Sequence, residues 1–242
     1  MVSFTFHPIG LINSCYKENF GIPRQAGLVP SARARIVLTR TSEWEAAVDG
    51  ISEFSHIWVI FVFHDVNPKQ KWRPRVRPPR LNKKKVGVLA TRSPHRPNPI
   101  GISAVRLERV DFEGDKIVLE VSGGDFLDQT PVLDVKPYIN YADRIDNAAS
   151  GWLTGVRLSR PPVKVLFDSE VLAACKNWES SGYTDLIQLI RETLALDPRP
   201  SNQIDQPDAS RFGCRIFDLD VRWSVEKGLF RVTHVEKLTD YF

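Results

Sequence analysis

The chain has 242 residues, 42% hydrophobic and 26% charged, with a formal net charge of +4. That length suits one large β-rich domain, or a main domain with a smaller appendage, and the composition excludes a disordered or fibrous chain. The longest apolar run, residues 57–63, is too short to span a bilayer as a helix, and Met1–Phe6 lacks a basic segment ahead of an apolar core. The expectation is a cytoplasmic protein with no membrane contact. Cys15, Cys175 and Cys214 lie far apart with no C-x-x-C, and the five histidines do not cluster. Neither a disulfide framework nor a metal site is expected.

Charge is unevenly spread. From Val66 to Ile102 there is no Asp or Glu, while Lys69, Lys71, Arg73, Arg75, Arg77, Arg80, Lys83, Lys84, Lys85, Arg92 and Arg96 all fall inside. Such a segment is an electrostatic footprint for a polyanion.

Phe4–Gly10 reads as a first strand, followed by a loop from Asn13 to Leu28 and a second strand over Arg35–Leu38. Ser42–Val48 is a short helix capped by Thr41 or Ser42, with Gly50 just past its end for a left-handed residue. Phe54–His64 is the strongest strand, rich in β-branched and aromatic residues. Period two puts His56, Trp58, Ile60, Val62 and His64 on one face and Ile57, Val59, Phe61 and Phe63 on the other. Both sets are apolar at the centre, which predicts burial of both faces. Asn67–Arg80 carries too many prolines for a helix, and its arginines interleave with Trp72 as in backbone-tracking RNA segments. Val86–Ala90 reads as a short buried strand. It leads into a turn with Pro94, Pro97 and Pro99, which fix the backbone around Arg92, His95, Arg96 and Asn98. Two readings of that turn stand: a rigid connection with exposed polar residues, or a preformed anion pocket.

Ser103–Val110 and Lys116–Val121 form a hairpin through Phe112–Asp115, and Val132–Ile139 is the next strand. So many short strands with so few helices predict an antiparallel β-barrel or strongly curled sheet over residues 1–146. Residues 147–162 are expected to be a linker, and 163–242 a small α+β domain. In that domain Ser169–Trp178 and Thr184–Leu194 are helices, the second capped by Thr184 and ended by Asp197-Pro198-Arg199-Pro200. Ser201–Ser210 is a loose polar segment. Phe217–Val225 and Leu229–Val235 then pair as a hairpin.

No G-x-G-x-x-G follows a strand, and there is no P-loop, H-E-x-x-H or G-x-S-x-G. A Rossmann cofactor domain is therefore unsupported. What remains is a set of loop-borne polar groups, Arg24-Gln25, His64-Asp65, Arg92–Asn98 and Asp128-Gln129-Thr130, with Asp134, Lys136 and Tyr138 on the following strand. In a curled sheet such strand ends converge on one mouth. From these residues alone, an enzyme and a non-enzymatic basic RNA-binding barrel both stand.

Five motifs, in order, carry a resemblance: Tyr16–Val29 (Y-K-E-x-F-x-x-P-R-Q-x-G-L-V), Phe54–His64 (F-S-H-x-W-x-x-F-V-F-H), Trp72–Leu81 (W-R-P-x-V-R-P-P-R-L), Ala90–Gly101 (A-T-R-S-x-x-R-P-N-P-I-G) and Asp125–Tyr138 (D-x-x-D-x-T-P-V-x-D-x-K-P-Y). Together they resemble the bacterial TrmO, or TsaA-like, family across the whole N-terminal domain. The D-P-R-P run and the F-D-L-D-V-R-W strand extend the likeness to the C-terminal domain. The resemblance implies a non-Rossmann β-barrel methyltransferase that uses S-adenosylmethionine. Its implied target is N6 of threonylcarbamoyladenosine, next to the anticodon of threonine tRNAs, and its implied assembly is a homodimer. By the same resemblance the cofactor site comprises Pro23, Arg24, Gln25, His64, Asp65, Arg92, Ile102, Leu127, Asp128, Gln129, Thr130 and Pro131. Gln129 stands where relatives often carry glycine, and Ser93-Pro94-His95 replaces a common serine-threonine-phenylalanine. Neither departure removes a charged group. Chemistry adds roles: Asp134 and His64 as candidate bases, with Tyr138 and Lys136 as stabilisers of developing carbamoyl charge. Arg73, Arg75, Arg77, Arg80, Lys83, Lys84, Lys85 and Arg96 are the expected RNA contacts, Arg96 also being a candidate partner for the threonyl carboxylate.

Overall fold

The computed structural model describes residues 3–66, 71–78, 81, 84–154, 162–199, 203–204 and 210–238. Arg80, Lys83 and part of the expected linker, residues 155–161, lie outside the described residues. The chain forms two compact units. The first comprises Met1–Asn13, Ala34–Ser122 and Gln129–Leu158, and the second Ser14–Arg33, Gly123–Asp128 and Ser159–Phe242.

The first unit is a closed six-stranded barrel. Its strands are β1 (Gly10–Ser14), β2 (Arg33–Thr39), β3 (His56–Val62), β6 (Ile100–Glu113), β7 (Lys116–Ser122) and β8 (Thr130–Pro137), in the order β1-β2-β7-β6-β3-β8. A separate two-stranded ribbon pairs β4 (Arg75–Val76) with β5 (Val86–Gly87). Alternating residues fill the barrel: Ile12, Ile36, Leu38, Ile57, Val59, Phe61, Val105, Ile117, Leu119 and Val132 are all buried. Gly101 lies opposite Phe61 across β6 and β3, and a methyl group there would overlap the phenyl ring. The β6–β7 hairpin turns through Gly114-Asp115, Glu113 pairing with Lys116 and Gly114 taking a φ of 58°. Glycine suits that first turn position because it bears no Cβ. Thr41 caps α1 (Ser42–Ala47), accepting the Trp44 amide, and Gly50 follows with a φ of 78°.

Four expectations for this unit change. Phe4 and Phe6 stay exposed and strand pairing starts at Ile9–Gly10, because Pro8 has no amide to contribute to a ladder. Only Val86 and Gly87 of the Val86–Ala90 run are strand. The amide and hydroxyl of Thr91 both donate to the Val88 carbonyl and close a tight turn, leaving Leu89 78% exposed. The strand at Phe54–His64 is shorter, and only one of its faces is buried. Ile57, Val59 and Phe61 face the barrel interior, while His56, Trp58, Ile60 and Val62 are half-buried on the outside. The expected linker contains ordered structure, with α2 (Asn140–Asp143) before it and a turn at Gly151–Leu153, where Trp152 donates to the Ala90 carbonyl.

The second unit carries a four-stranded sheet, β10 (Arg211–Ile216), β11 (Leu219–Glu226), β12 (Leu229–Lys237) and β9 (Val165–Phe167), with β9 parallel to β12. Helices α3 (Ser169–Ser180) and α4 (Leu186–Ala195) join its core. Cys15, Tyr16, Val29 and Ala32 belong to the same core, and this unit takes in two excursions of the N-terminal sequence, Ser14–Arg33 and Gly123–Asp128. Tyr16 and Thr193 share a hydroxyl contact of 3.2 Å, and Glu192 accepts from both the amide and hydroxyl of Ser31. Thr184 does not cap α4; Glu179 accepts the Ile187 amide instead, and Asp185, with a φ of 56°, turns its carboxylate to Arg33. Phe217 sits in the β10–β11 turn and not in a strand. Arg199 forms a two-pronged ion pair with Asp197, both side chains under 10% exposed, and its guanidinium lies over the rings of Phe212 and Phe230.

Candidate active site

A single irregularity in β8 decides where its polar residues point. Strict alternation would place Asp134 and Lys136 on the face of Thr130 and Val132, inside the barrel. Instead Asp134 lies opposite Ile60 of β3 while Val132 lies opposite Phe61, so Leu133 is an extra residue. This bulge moves the two charged side chains to the outer face. There Lys136 Nζ meets Asp134 Oδ2 at 2.8 Å, with Asp134 Oδ1 accepting the Val135 amide at 2.9 Å.

The outer face of β6, β3 and β8 is a lattice of cross-strand rows. Ile102, Ile60 and Asp134 form one row, and Ala104, Trp58 and Lys136 the next. Tyr138, whose amide donates to the His56 carbonyl, packs its ring 5.6 Å from Trp58 and 6.3 Å from His56. Three of the four candidate catalytic residues therefore share one face with Ile102, which is 53% exposed.

The fourth, His64, stands apart. Ile60, the partner of Asp134, lies four residues before His64, about 13 Å along an extended chain. The two candidate bases thus occupy different ends of one wall. His64 Nδ1 lies 3.4 Å from Thr130 Oγ1, with exposed Asp65 beside it in the turn after β3. Pro131 pairs with Leu11 of β1, and Gln129 takes a φ of 61° while its side chain donates to Asn13. That left-handed backbone favours glycine, in keeping with the residue the resemblance gives for this position. A cavity of about 480 Å³ is lined by His64, Lys71, Trp72, His95, Arg96 and the apolar residues around them. Arg96 is half-buried and its Nη1 donates to the Thr91 and Ser93 carbonyls, bracing its own loop; Arg92 is exposed.

The remaining cofactor candidates belong to the second unit. Pro23 is buried, Arg24 exposed, and Gln25 and Leu127 half-buried. Asp128 accepts the Ser14 amide at 2.8 Å and pairs with Lys17 Nζ at 2.7 Å. Lys17 and Ser14 were not singled out from sequence, since nothing local links residues more than 100 positions apart. Burial raises the thiols of all three cysteines, Cys15 to about 12 and Cys175 to about 11, so each is held as the inert neutral form.

Among the expected RNA contacts, the β4–β5 ribbon sets Arg75 beside Lys85, whose carbonyl accepts from Arg75 Nη2 at 2.9 Å. Arg73, Arg77, Lys84 and Lys85 are exposed, and the Arg73 amide ties this segment to the His95 carbonyl. Among the described residues no group of three or more His, Cys, Asp or Glu side chains could hold a metal ion, and no described helix is long and apolar enough to cross a membrane.

The fold agrees with what comparison with known proteins shows. Residues 11–144 match the family model of the tRNA-methyltransferase O N-terminal domain, and residues 160–238 that of the TrmO C-terminal domain. A tRNA (adenine(37)-N6)-methyltransferase of Escherichia coli K12 is 40% identical over 98% of this chain and 99% of its own length. A Pseudomonas aeruginosa protein inferred to be an S-adenosylmethionine-dependent methyltransferase, RcsF, is 41% identical over 94% and 96%. A crystal structure of TrmO superposes with a TM-score of 0.78 at 36% identity, covering 97% of this chain and 99% of that one. Both domain models and full-length coverage place this chain in the tRNA-methyltransferase O family.

Proposed function

We propose that this protein is an S-adenosylmethionine-dependent tRNA methyltransferase that methylates N6 of threonylcarbamoyladenosine beside the anticodon of threonine tRNAs. The observation that carries the reading is the Asp134–Lys136 pair, turned outward by the β8 bulge in a chain that matches the TrmO family through both domains. A bulge that re-aims a charged pair onto an open face suits an active site better than a structural strand.

The candidate donor set fits the cofactor's chemistry. A methionine carboxylate calls for a cation, which Arg92 offers. An ammonium and a sulfonium call for a carboxylate, which Asp65 offers, and the adenosine ring calls for apolar contacts such as Ile102. When bound, S-adenosylmethionine supplies an electrophilic methyl group. The N6 lone pair of the modified base is delocalised into ring and carbamoyl group, so its proton must leave before it acts as a nucleophile. Asp134 takes that proton, and Lys136 and Tyr138 donate to the carbamoyl oxygen as charge gathers there. His64, 3.4 Å from Thr130, orients the cofactor side of the site. The threonyl carboxylate is met by the cavity that carries Lys71, His95 and Arg96.

Exposed Arg73, Arg75, Arg77, Lys84 and Lys85, with the C-terminal domain over 163–242, hold the anticodon stem-loop. The protein acts as a homodimer in the cytoplasm; free buried thiols support a reducing compartment.

The experiment incubates purified protein with labelled S-adenosylmethionine and two threonine tRNAs, one with the threonylcarbamoyl group and one without it. Methyl incorporation only into the modified tRNA is expected. Incorporation into both would overturn the substrate assignment. Salt-sensitive tRNA binding without incorporation would return the protein to the class of RNA-binding modules.

A further inference from the structure

Trp58 occupies an unusual place on the barrel wall. It belongs to the outward face of β3, flanked across the strands by Ala104 on one side and Lys136 on the other, one row from Ile102 and Asp134. An indole N–H taken out of water usually finds a hydrogen-bond partner. Here the indole Nε1–H donates to Asp143 Oδ2 at 3.0 Å, and the same oxygen accepts the Ile139 amide at 2.7 Å. Asp143 is the last residue of the short helix α2, so the turn that follows β8 exists where it can clamp the ring edge. Tyr138 leans on the indole at an interplanar angle of 44°. The ring is therefore fixed at one edge and supported on one flank, has the small side chain of Ala104 on the other, and stays partly exposed.

Nucleobase chemistry needs this combination. A base presented for reaction has left its stack, and an aromatic plane in the protein replaces the lost stacking. A plane beside the reacting groups also sets the distance and angle at which the base meets them. Lys136 sits directly across from Trp58, about 5 Å away, and Asp134 diagonally, about 7–8 Å away, so a purine lying on Trp58 brings its edge toward both.

We propose that Trp58 is the platform on which the target adenine stacks, and that Asp143 is the positioning residue that locks the platform's orientation. This rests on the methyltransferase reading above. Trp58 contributes to binding of the base, and Asp143 acts only through Trp58 and the β8–α2 corner.

The test measures steady-state methylation of threonylcarbamoyl-bearing tRNA, equilibrium binding of S-adenosylmethionine, and sedimentation, for the wild type and four variants. W58A is expected to raise KM for tRNA about 10- to 100-fold, the range for loss of one base–aromatic stack, with cofactor affinity and sedimentation unchanged. W58F, which keeps an aromatic face, should recover most of the loss. D143A should give a smaller rise in KM, and D143N, which retains an acceptor for the indole, should stay close to wild type. An unchanged KM in W58A, equal damage in W58A and W58F, or a changed sedimentation coefficient in W58A would each overturn the proposal. An inactive wild type on modified tRNA would overturn the enzymatic reading on which it rests.

Discussion

The assignment of Asp134 as the base separates stability from activity in a way that can be measured. Its side chain is 46% exposed and its partner Lys136 is 63% exposed. An ion pair that open to water contributes about 0–1 kcal/mol. Asp134→Asn also keeps the oxygen that accepts the Val135 amide at 2.9 Å, so the bulge retains its local bond. The variant should therefore unfold within about 2–4 °C of the wild type, the shift that ~1 kcal/mol produces in a chain of this size. Loss of a general base, by contrast, lowers the rate about 10²- to 10⁴-fold, which corresponds to roughly 2.7–5.4 kcal/mol of barrier. The assay is single-turnover methyl transfer from labelled S-adenosylmethionine, run beside cofactor titration and thermal unfolding. Full turnover with normal cofactor binding in Asp134→Asn would remove this residue from the mechanism, and His64 would become the first candidate to test.

Two further outcomes follow from the second unit. Arg199→Ala leaves the Asp197 carboxylate buried without its two-pronged partner, and the expected loss is about 3–5 kcal/mol, read as a lower urea midpoint. A midpoint within error of the wild type would show that the pair carries no stability. Burial raises the Cys15 thiol from 9.0 to about 12, so the folded state keeps a proton that the unfolded chain gives up. Its contribution is complete below pH ~9 and is lost as pH climbs toward the folded value, at about 1.4 kcal/mol per pH unit in that window. Cys15→Ala should flatten the alkaline limb of the stability profile by that slope; an unaltered limb would refute the assignment.

Local physics was legible in the sequence. Apolar periodicity marked the β3 strand and the β6–β7 hairpin, Gly114 the hairpin turn, and Thr41 the cap of α1, because each is a choice made within a few residues. The chain of short strands with few helices was enough for a barrel, and the ordered motifs were enough for the family. What escaped depended on partners distant in sequence. β10, with Gly213 and two arginines in six residues, becomes a strand only through its register with β11. The clamp of Asp143 on Trp58 spans 85 positions, and no local pattern announces it. The bulge at Leu133 is the deepest case. Alternation along β8 taken alone sends Asp134 and Lys136 into the core, and only pairing with β3 reveals the extra residue that turns them outward. The side-chain alternation of a strand can be read from its own residues, but the register that sets which way each face points belongs to the sheet.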